Sequence, residues 1–212
     1  MPHCLAWPRY LGPLDALEPA KDLTFVEAVN GDIQRYLDAH GDSISVLLRL
    51  KWCVQASAAL AYCHARGVFH CDLRPENMLL DAELDLSFCD FGGSKNADYD
   101  GDGLPDFGFF DPRVDSLDVA TSTEIFGLGS SIYTILVGHL PYGPLILKTA
   151  KERLDYADIF KRLTFKGEFP DTSQILGGDI IQGCWNHEIS SAEEAHQRLM
   201  KPHQLRLQMD EK

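Results

Sequence analysis

The chain has 212 residues, of which 45% are hydrophobic and 10% aromatic, enough to bury one good core and part of a second, so disorder as the main state is excluded. Nineteen Lys and Arg against 32 Asp and Glu leave a net charge of −13, which repels phosphate backbones and anionic lipid surfaces and argues against nucleic acid as a partner. Stretches such as SVLLRL and SIYTILVG fall short of the roughly 18 residues of a membrane span, and MPHCLAWPRY lacks an apolar signal segment, so the expectation is an intracellular, cytoplasmic chain with no membrane partner.

After a Pro-rich start (Pro2, Pro8, Pro13, Pro19), Asp22 to Val29 reads as one strand, ended by the turn signal Asn30-Gly31. Asp32 to His40 reads as a short helix and Ser43 to Arg66 as a long one, with Ser43 as cap and Gly67 as stop. Leu47, Leu50, Val54, Ala58 and Ala61 recur at helical spacing and are expected to face the core. Val68 to Asp90 has no sustained period and is expected to hold short strands around loops. Gly92 to Pro112 carries five glycines among acids and aromatics and reads as a long loop. Glu124 to Gly138 is apolar nearly all round, the mark of a helix buried on every side. Lys148 to Leu163, Ser173 to Cys184 and Ser190 to Lys201 read as amphipathic helices, the last capped by Ser190 or Ser191 and stopped by Pro202, with QMDEK frayed at the end.

The six cysteines (Cys4, Cys53, Cys63, Cys71, Cys89, Cys184) form no CxxC pair and have no histidine at zinc-finger spacing, so free thiols in a reducing compartment are expected. From Asp81 to Glu124 there are 12 acids and 2 bases, so 12 − 2 gives a local charge of −10, which suits either a solvated loop or a cation site. Within it Asp98, Asp100, Asp102 and Asp106 around Gly103 follow a DxDxDGxxD pattern that could wrap calcium. An EF-hand fails, however, because its closing glutamate would be Phe109.

The informative segments are His70 to Leu80, HCDLRPENMLL, and Cys89 to Gly93, CDFGG. Together they resemble the protein kinase family: HxDLxPEN matches the catalytic loop, and Asp90-Phe91-Gly92, 13 residues beyond Asn77, matches the metal-binding motif. The resemblance implies an α+β, protein kinase-like fold with a mostly helical C-lobe and a remnant N-lobe β-sheet. It divides the chain into an N-lobe remnant and hinge at 1–30, a C-lobe at 31–204 and a tail at 205–212. It implies ATP and Mg2+ as cofactors and a protein substrate or protein partner. Phosphoryl transfer needs a hydroxyl aimed at the γ-phosphate and cations to neutralise the charge that develops there. By resemblance Asp72 is the base, Arg74 stands where serine/threonine kinases carry a lysine that contacts the γ-phosphate, and Asn77 and Asp90 hold magnesium. Val26 takes the gatekeeper position, Glu27 and Val29 offer backbone groups to adenine, Leu79 packs beneath the base, and Asp32 and Cys89 complete the nucleotide side. His70 is expected to pack near Phe91 rather than to bind metal. Thr123 to Tyr142 resembles the buried central helix, Gly167-Glu168-Phe169-Pro170 the loop after the next helix, and Cys184-Trp185 with Ala192 to Leu199 the terminal helices.

The departures are as informative. Only 30 residues precede Gly31, whereas a complete N-lobe takes more than about 60. No GxGxxG and no VAIK-like lysine occurs. Cys71 replaces the arginine of HRD, so loop phosphorylation at Ser94, Tyr99 or Ser116 is not expected to control the protein. Asp111-Pro112-Arg113 stands near the expected APE, and Glu124 replaces the aspartate that opens the central helix, which puts loop anchoring in question. Three functions compete: a serine/threonine kinase-like domain transferring the γ-phosphoryl group of ATP to a protein hydroxyl, weakly as an isolated chain; a catalytically inactive pseudokinase acting as a protein-interaction scaffold; and a calcium-binding module.

Overall fold

The computed structural model describes residues 27–101, 103, 105–114 and 119–210. The strand expected over Asp22 to Val29 lies outside them as far as residue 26, and Val26 with it; residues 27–30 are coil leading into a turn, not strand. Six α-helices, two 3-10 turns (Gly41–Ser43 and Pro75–Asn77) and one small hairpin make up the regular structure of the described residues. Among these residues no helix is long and apolar enough to cross a membrane.

Helix α1 (Ile33–His40) starts at Asp32, whose Oδ1 accepts the Arg35 N–H at 2.9 Å. The long helix opens later than expected. Ser43 sits in a 3-10 turn and its hydroxyl donates to the His40 carbonyl at 2.6 Å, so Ser45 caps α2 (Val46–His64) instead, accepting the Leu48 N–H at 3.2 Å. Of the five residues expected to face the core, Leu50 is fully buried and Val54 and Ala61 are partly buried against it. The buried face runs through Arg49, Trp52, Cys53, Ala56, Ser57, Ala59, Leu60 and Cys63. Two residues with polar ends turn that face: Trp52 Nε1 donates to the Leu84 carbonyl at 3.0 Å, and Arg49 donates to the carbonyls of Ile135 and Gly41 at 2.6 and 2.9 Å. Periodicity cannot register partners 30 to 90 residues away.

Strands β1 (Met78–Leu80) and β2 (Leu86–Phe88) pair antiparallel, with Met78 opposite Phe88 and Leu80 opposite Leu86. Those four side chains are fully buried. Helix α3 (Thr121–Val137) is buried without a break from Glu124 to Ile135, as its apolar composition requires. It packs against α2 on one side and α5 (Gly178–Trp185) on the other. The approach to α5 is close, because a Cβ at Gly129 would lie 2.6 Å from Cys184 Cβ, and Trp185 Nε1 donates to Ser130 Oγ at 3.0 Å.

Helix α4 (Ala150–Phe165) carries a reciprocal cap in which Thr149 Oγ1 accepts the Glu152 N–H and Glu152 Oε2 accepts the Thr149 N–H. Helix α5 begins at Gly178 rather than Ser173, because residues 172–178 are taken up by turns, with the Ile175 N–H on the Thr172 carbonyl and the Thr172 hydroxyl on the Gly178 carbonyl. Helix α6 (Ala192–Asp210) is capped by Ser191 and runs through Pro202 to Asp210, past both the expected stop and most of the segment expected to fray. Proline deletes one helical hydrogen bond, but α6 lies along α2, and that packing holds the axis.

The Gly129 contact sets a test. Gly129→Ala should destabilise the fold by about 1–3 kcal/mol, the usual consequence of overpacking a close helix crossing, and lower the urea midpoint.

Candidate active site

The hairpin register brings the two motifs together. With Met78 opposite Phe88, the next pair outward is Asn77 and Cys89, and the Cys89 N–H donates to the Asn77 carbonyl at 3.0 Å. The catalytic-loop residues therefore meet Asp90 at one end of a two-stranded ribbon, which is the physical content of the 13-residue spacing. Two non-glycine residues here adopt left-handed backbone, Cys71 at φ 67 and Asp90 at φ 58. Such conformations persist only where surrounding contacts impose them.

For Cys71 the imposing contact is Glu124. Its Oε1 accepts the Cys71 N–H at 2.8 Å and its Oε2 meets His64 Nε2 at 2.7 Å, all within the buried interior. The glutamate in place of an aspartate thus anchors the loop, which answers the question left by the sequence. His70 is structural, as expected: Nε2 lies 2.8 Å from the Cys89 carbonyl, and its ring packs 4.7 Å from Phe91 and edge-on to Phe88. Ser94, weighed as a phosphorylation site, is buried and donates to the His70 carbonyl at 3.2 Å, whereas Ser116 lies outside the described residues.

Asp72 is held by Asn77, whose Nδ2 donates to the Asp72 carbonyl at 2.8 Å and to its Oδ2 at 2.9 Å. Oδ1 is buried and makes no hydrogen bond. Burial raises the Asp72 pKa, and the Arg74 charge and the Asn77 hydrogen bond offset this only in part. Arg74 Nε lies 3.3 Å from Asp72 Oδ2 and 3.5 Å from Glu76 Oε2, and an Arg74 terminal nitrogen donates to Asp106 Oδ2 at 2.9 Å. Gln34 Nε2 in turn donates to Glu76 Oε1 at 3.0 Å. Burial also raises the Glu76 pKa, and Asp106, Asp32 and Asp72 add to it against Arg74.

On the nucleotide side, Leu79 bridges to Asp32, and the Leu80 N–H bonds the Gly31 carbonyl at 2.8 Å, so residues 30–32 lie beside β1. Asp32 is buried by its capping role, while Glu27 and Val29 are exposed. Cys89 is half-buried, with its thiol pushed up to about 11 by burial and then by Asp90 and Asp32. Asp90 is exposed, and both Asn77 bonds use the amide nitrogen, so the amide oxygen is the donor that a hard cation would take. The DxDxDGxxD reading fares worse. Asp102 lies outside the described residues, Asp106 is committed to Arg74, and the two glycines serve close packing, a Cβ at Gly103 falling 2.7 Å from Cys71 Cβ. Among the described residues no group of three or more His, Cys, Asp or Glu is placed to hold a metal.

Further along, Asp111 is wholly buried, bonded by Arg113 Nε and a terminal nitrogen at 2.8 and 2.7 Å and by His187 Nε2 at 2.7 Å. Arg113 also donates to the Trp185 carbonyl at 2.7 Å, which ties the end of the loop to α5. Sequence reasoning missed the partnerships His64–Glu124, Arg74–Asp106 and Asp111–His187, because each joins residues far apart in the chain. The one available signal was an acid at 124, 106 and 111 in an otherwise structural setting.

Two outcomes follow. Glu124→Ala should cost about 1–3 kcal/mol, since it leaves the buried Cys71 N–H unpaired, and should speed hydrogen exchange at the Cys71 amide above that of neighbouring loop amides. Burial acts to raise the Asp111 pKa, but the Arg113 and His187 hydrogen bonds outweigh it and hold the carboxyl below its ordinary 3.8. A depressed carboxyl contributes stability at pH above its unfolded value, lost as pH falls through the folded one. Urea unfolding should therefore show wild type losing stability below pH 3.8 more steeply than Asp111→Asn.

Comparison with known proteins agrees with this geometry. Residues 13–203 match the model of the protein kinase domain. The chain is 33% identical over 112 residues to CBL-interacting serine/threonine-protein kinase 26 of Arabidopsis thaliana, a match covering 49% of the chain and 26% of that relative. It is 30% identical over 154 residues to serine/threonine-protein kinase PDK1 of Cryptococcus neoformans, covering 68% and 12%, and 30% identical over 130 residues to the sucrose non-fermenting protein kinase 1 of Fusarium virguliforme, covering 58% and 18%. The chain thus spans about a quarter or less of the length of these curated relatives. With a family match over nearly its whole length and the catalytic-loop and DFG segments joined by a single hairpin, the chain belongs to the protein kinase family.

Proposed function

We propose that this chain transfers the γ-phosphoryl group of ATP to a hydroxyl of a protein, in the manner of a serine/threonine kinase. The observation that carries the reading is Asp72: a carboxylate fixed by Asn77 on one oxygen, with the other buried and unpartnered and its pKa raised by burial. A base needs fixed geometry, spare acceptor capacity and raised basicity. In this reading the substrate hydroxyl lies against the Asp72 carboxylate and gives up its proton there as its oxygen bonds phosphorus, while ADP leaves with the electron pair of the broken P–O bond. Arg74 supplies the fixed positive charge next to that reaction. Asn77 and Asp90 would hold magnesium, whose charge offsets that of the phosphates. Glu27, Val29, Asp32, Leu79 and Cys89 flank the nucleotide. The setting is cytoplasmic, where thiols such as Cys53, Cys71, Cys89 and Cys184 stay reduced.

Transfer by the isolated 212 residues is slow in this reading, since they contain no GxGxxG and no strand lysine to hold the phosphates. Loss of one preorganised charged contact lowers rates by a factor of about 100 to 1000. A scaffold role is the second reading, favoured by the exposed Leu154 and Phe165, which lie 66% and 64% open on α4 as a surface for another protein.

Radiolabelled ATP, magnesium and a basic protein substrate separate the two. Magnesium-dependent label transfer that Asp72→Asn abolishes is the expected result. Identical traces for wild type and Asp72→Asn would give the scaffold reading precedence.

A further inference from the structure

Among the described residues, Arg74 forms ion pairs with Asp72, Glu76 and Asp106 together, and in the reading above it is also the group that meets the transferred phosphate. Its shortest contact is to neither the base nor a neighbour in the catalytic loop. It is to Asp106, 32 residues away, at 2.9 Å. That carboxylate is delivered by the fold. Its Oδ1 accepts the N–H of Phe107 at 2.9 Å, and the Phe109 N–H closes a turn on the Asp106 carbonyl at 3.1 Å. Phe109 is buried, and its carbonyl lies so close to α3 that a Cβ at Gly127 would come within 2.6 Å of it. A turn seated on the central helix thus aims a negative group at the guanidinium.

We propose that Asp106 is an internal competitor of the phosphoryl group for Arg74, so that the turn at residues 106–109 keeps the chain in a state of weak nucleotide binding until Asp106 is displaced. This rests on the kinase reading above. A carboxylate and a phosphate oxygen seek the same donors of a guanidinium, and two anions brought to one cation repel each other. The Asp106 side chain is 53% exposed and Arg74 25%, so the pair is a clasp that can open, not a buried structural bridge. Room for the opening exists: Arg74, Glu76 and Asp106 line a cavity of about 320 Å³ together with Phe107 and Tyr156. Asparagine at 106 would keep the oxygen that caps Phe107 and remove only the charge.

The test uses the full 212-residue chain and a non-hydrolysable ATP analogue with magnesium, titrated calorimetrically into wild type, Asp106→Asn and Asp106→Glu. Asp106→Asn should bind about two- to five-fold tighter, the range that a half-exposed ion pair supports, and Asp106→Glu should stay near wild type. Amide hydrogen exchange supplies a second readout: Phe107 to Phe109 should exchange faster in Asp106→Asn without nucleotide, and faster in wild type once the analogue is bound. Equal or weaker binding by Asp106→Asn, with wild type binding normally, would overturn the competitor role and leave the kinase reading intact. Binding by none of the three would overturn the ATP reading and this proposal with it.

Discussion

A single buried carboxylate ties the catalytic loop to the core. Glu124, in the first turn of α3, accepts the Cys71 N–H with one oxygen and meets His64 of α2 with the other. Cys71 needs that hold, because a residue with a Cβ does not rest in left-handed backbone without external contacts. The conformation at Cys71 in turn sets the direction in which Asp72 leaves the chain. Remove the carboxylate and a buried N–H is orphaned at the one point where α2, α3 and the loop converge.

Anchoring at the other end of the long acidic loop follows the same logic with different residues. Asp111 is buried under Arg113 and His187, and Arg113 spans to the Trp185 carbonyl while lying over the rings of Phe126 and Phe169 at 5.7 and 5.6 Å. The segment is thereby pinned to α3 and α5 without a phosphate. Cys71, whose thiol is raised to about 11 by burial and by Glu124, could not have read one.

Between the two anchors the electrostatics are one-sided. Asp72, Glu76 and Asp106 surround Arg74, and burial raises the pKa values of Asp72 and Glu76 against its pull. An acidic cluster of this kind favours cations over anions. Burial makes Asp72 a better proton acceptor than an exposed aspartate.

The chain order of residues by itself determined the family likeness, the helical character of the C-lobe, the all-round burial of α3 and the structural role of His70. Each is a matter of local composition or of a motif whose spacing a short hairpin enforces. Helix starts were legible to within a few residues, and were displaced at Ser43 and Ser173 where a competing turn took the hydrogen bonds. Only the tertiary structure decided which face of α2 is buried, that Glu124 secures Cys71, and that Asp106 belongs to Arg74 rather than to a calcium loop. Those outcomes depend on partners tens of residues away, held at hydrogen-bonding distance by packing that no local pattern encodes, and a carboxylate looks the same in the sequence whether it faces water, metal or arginine.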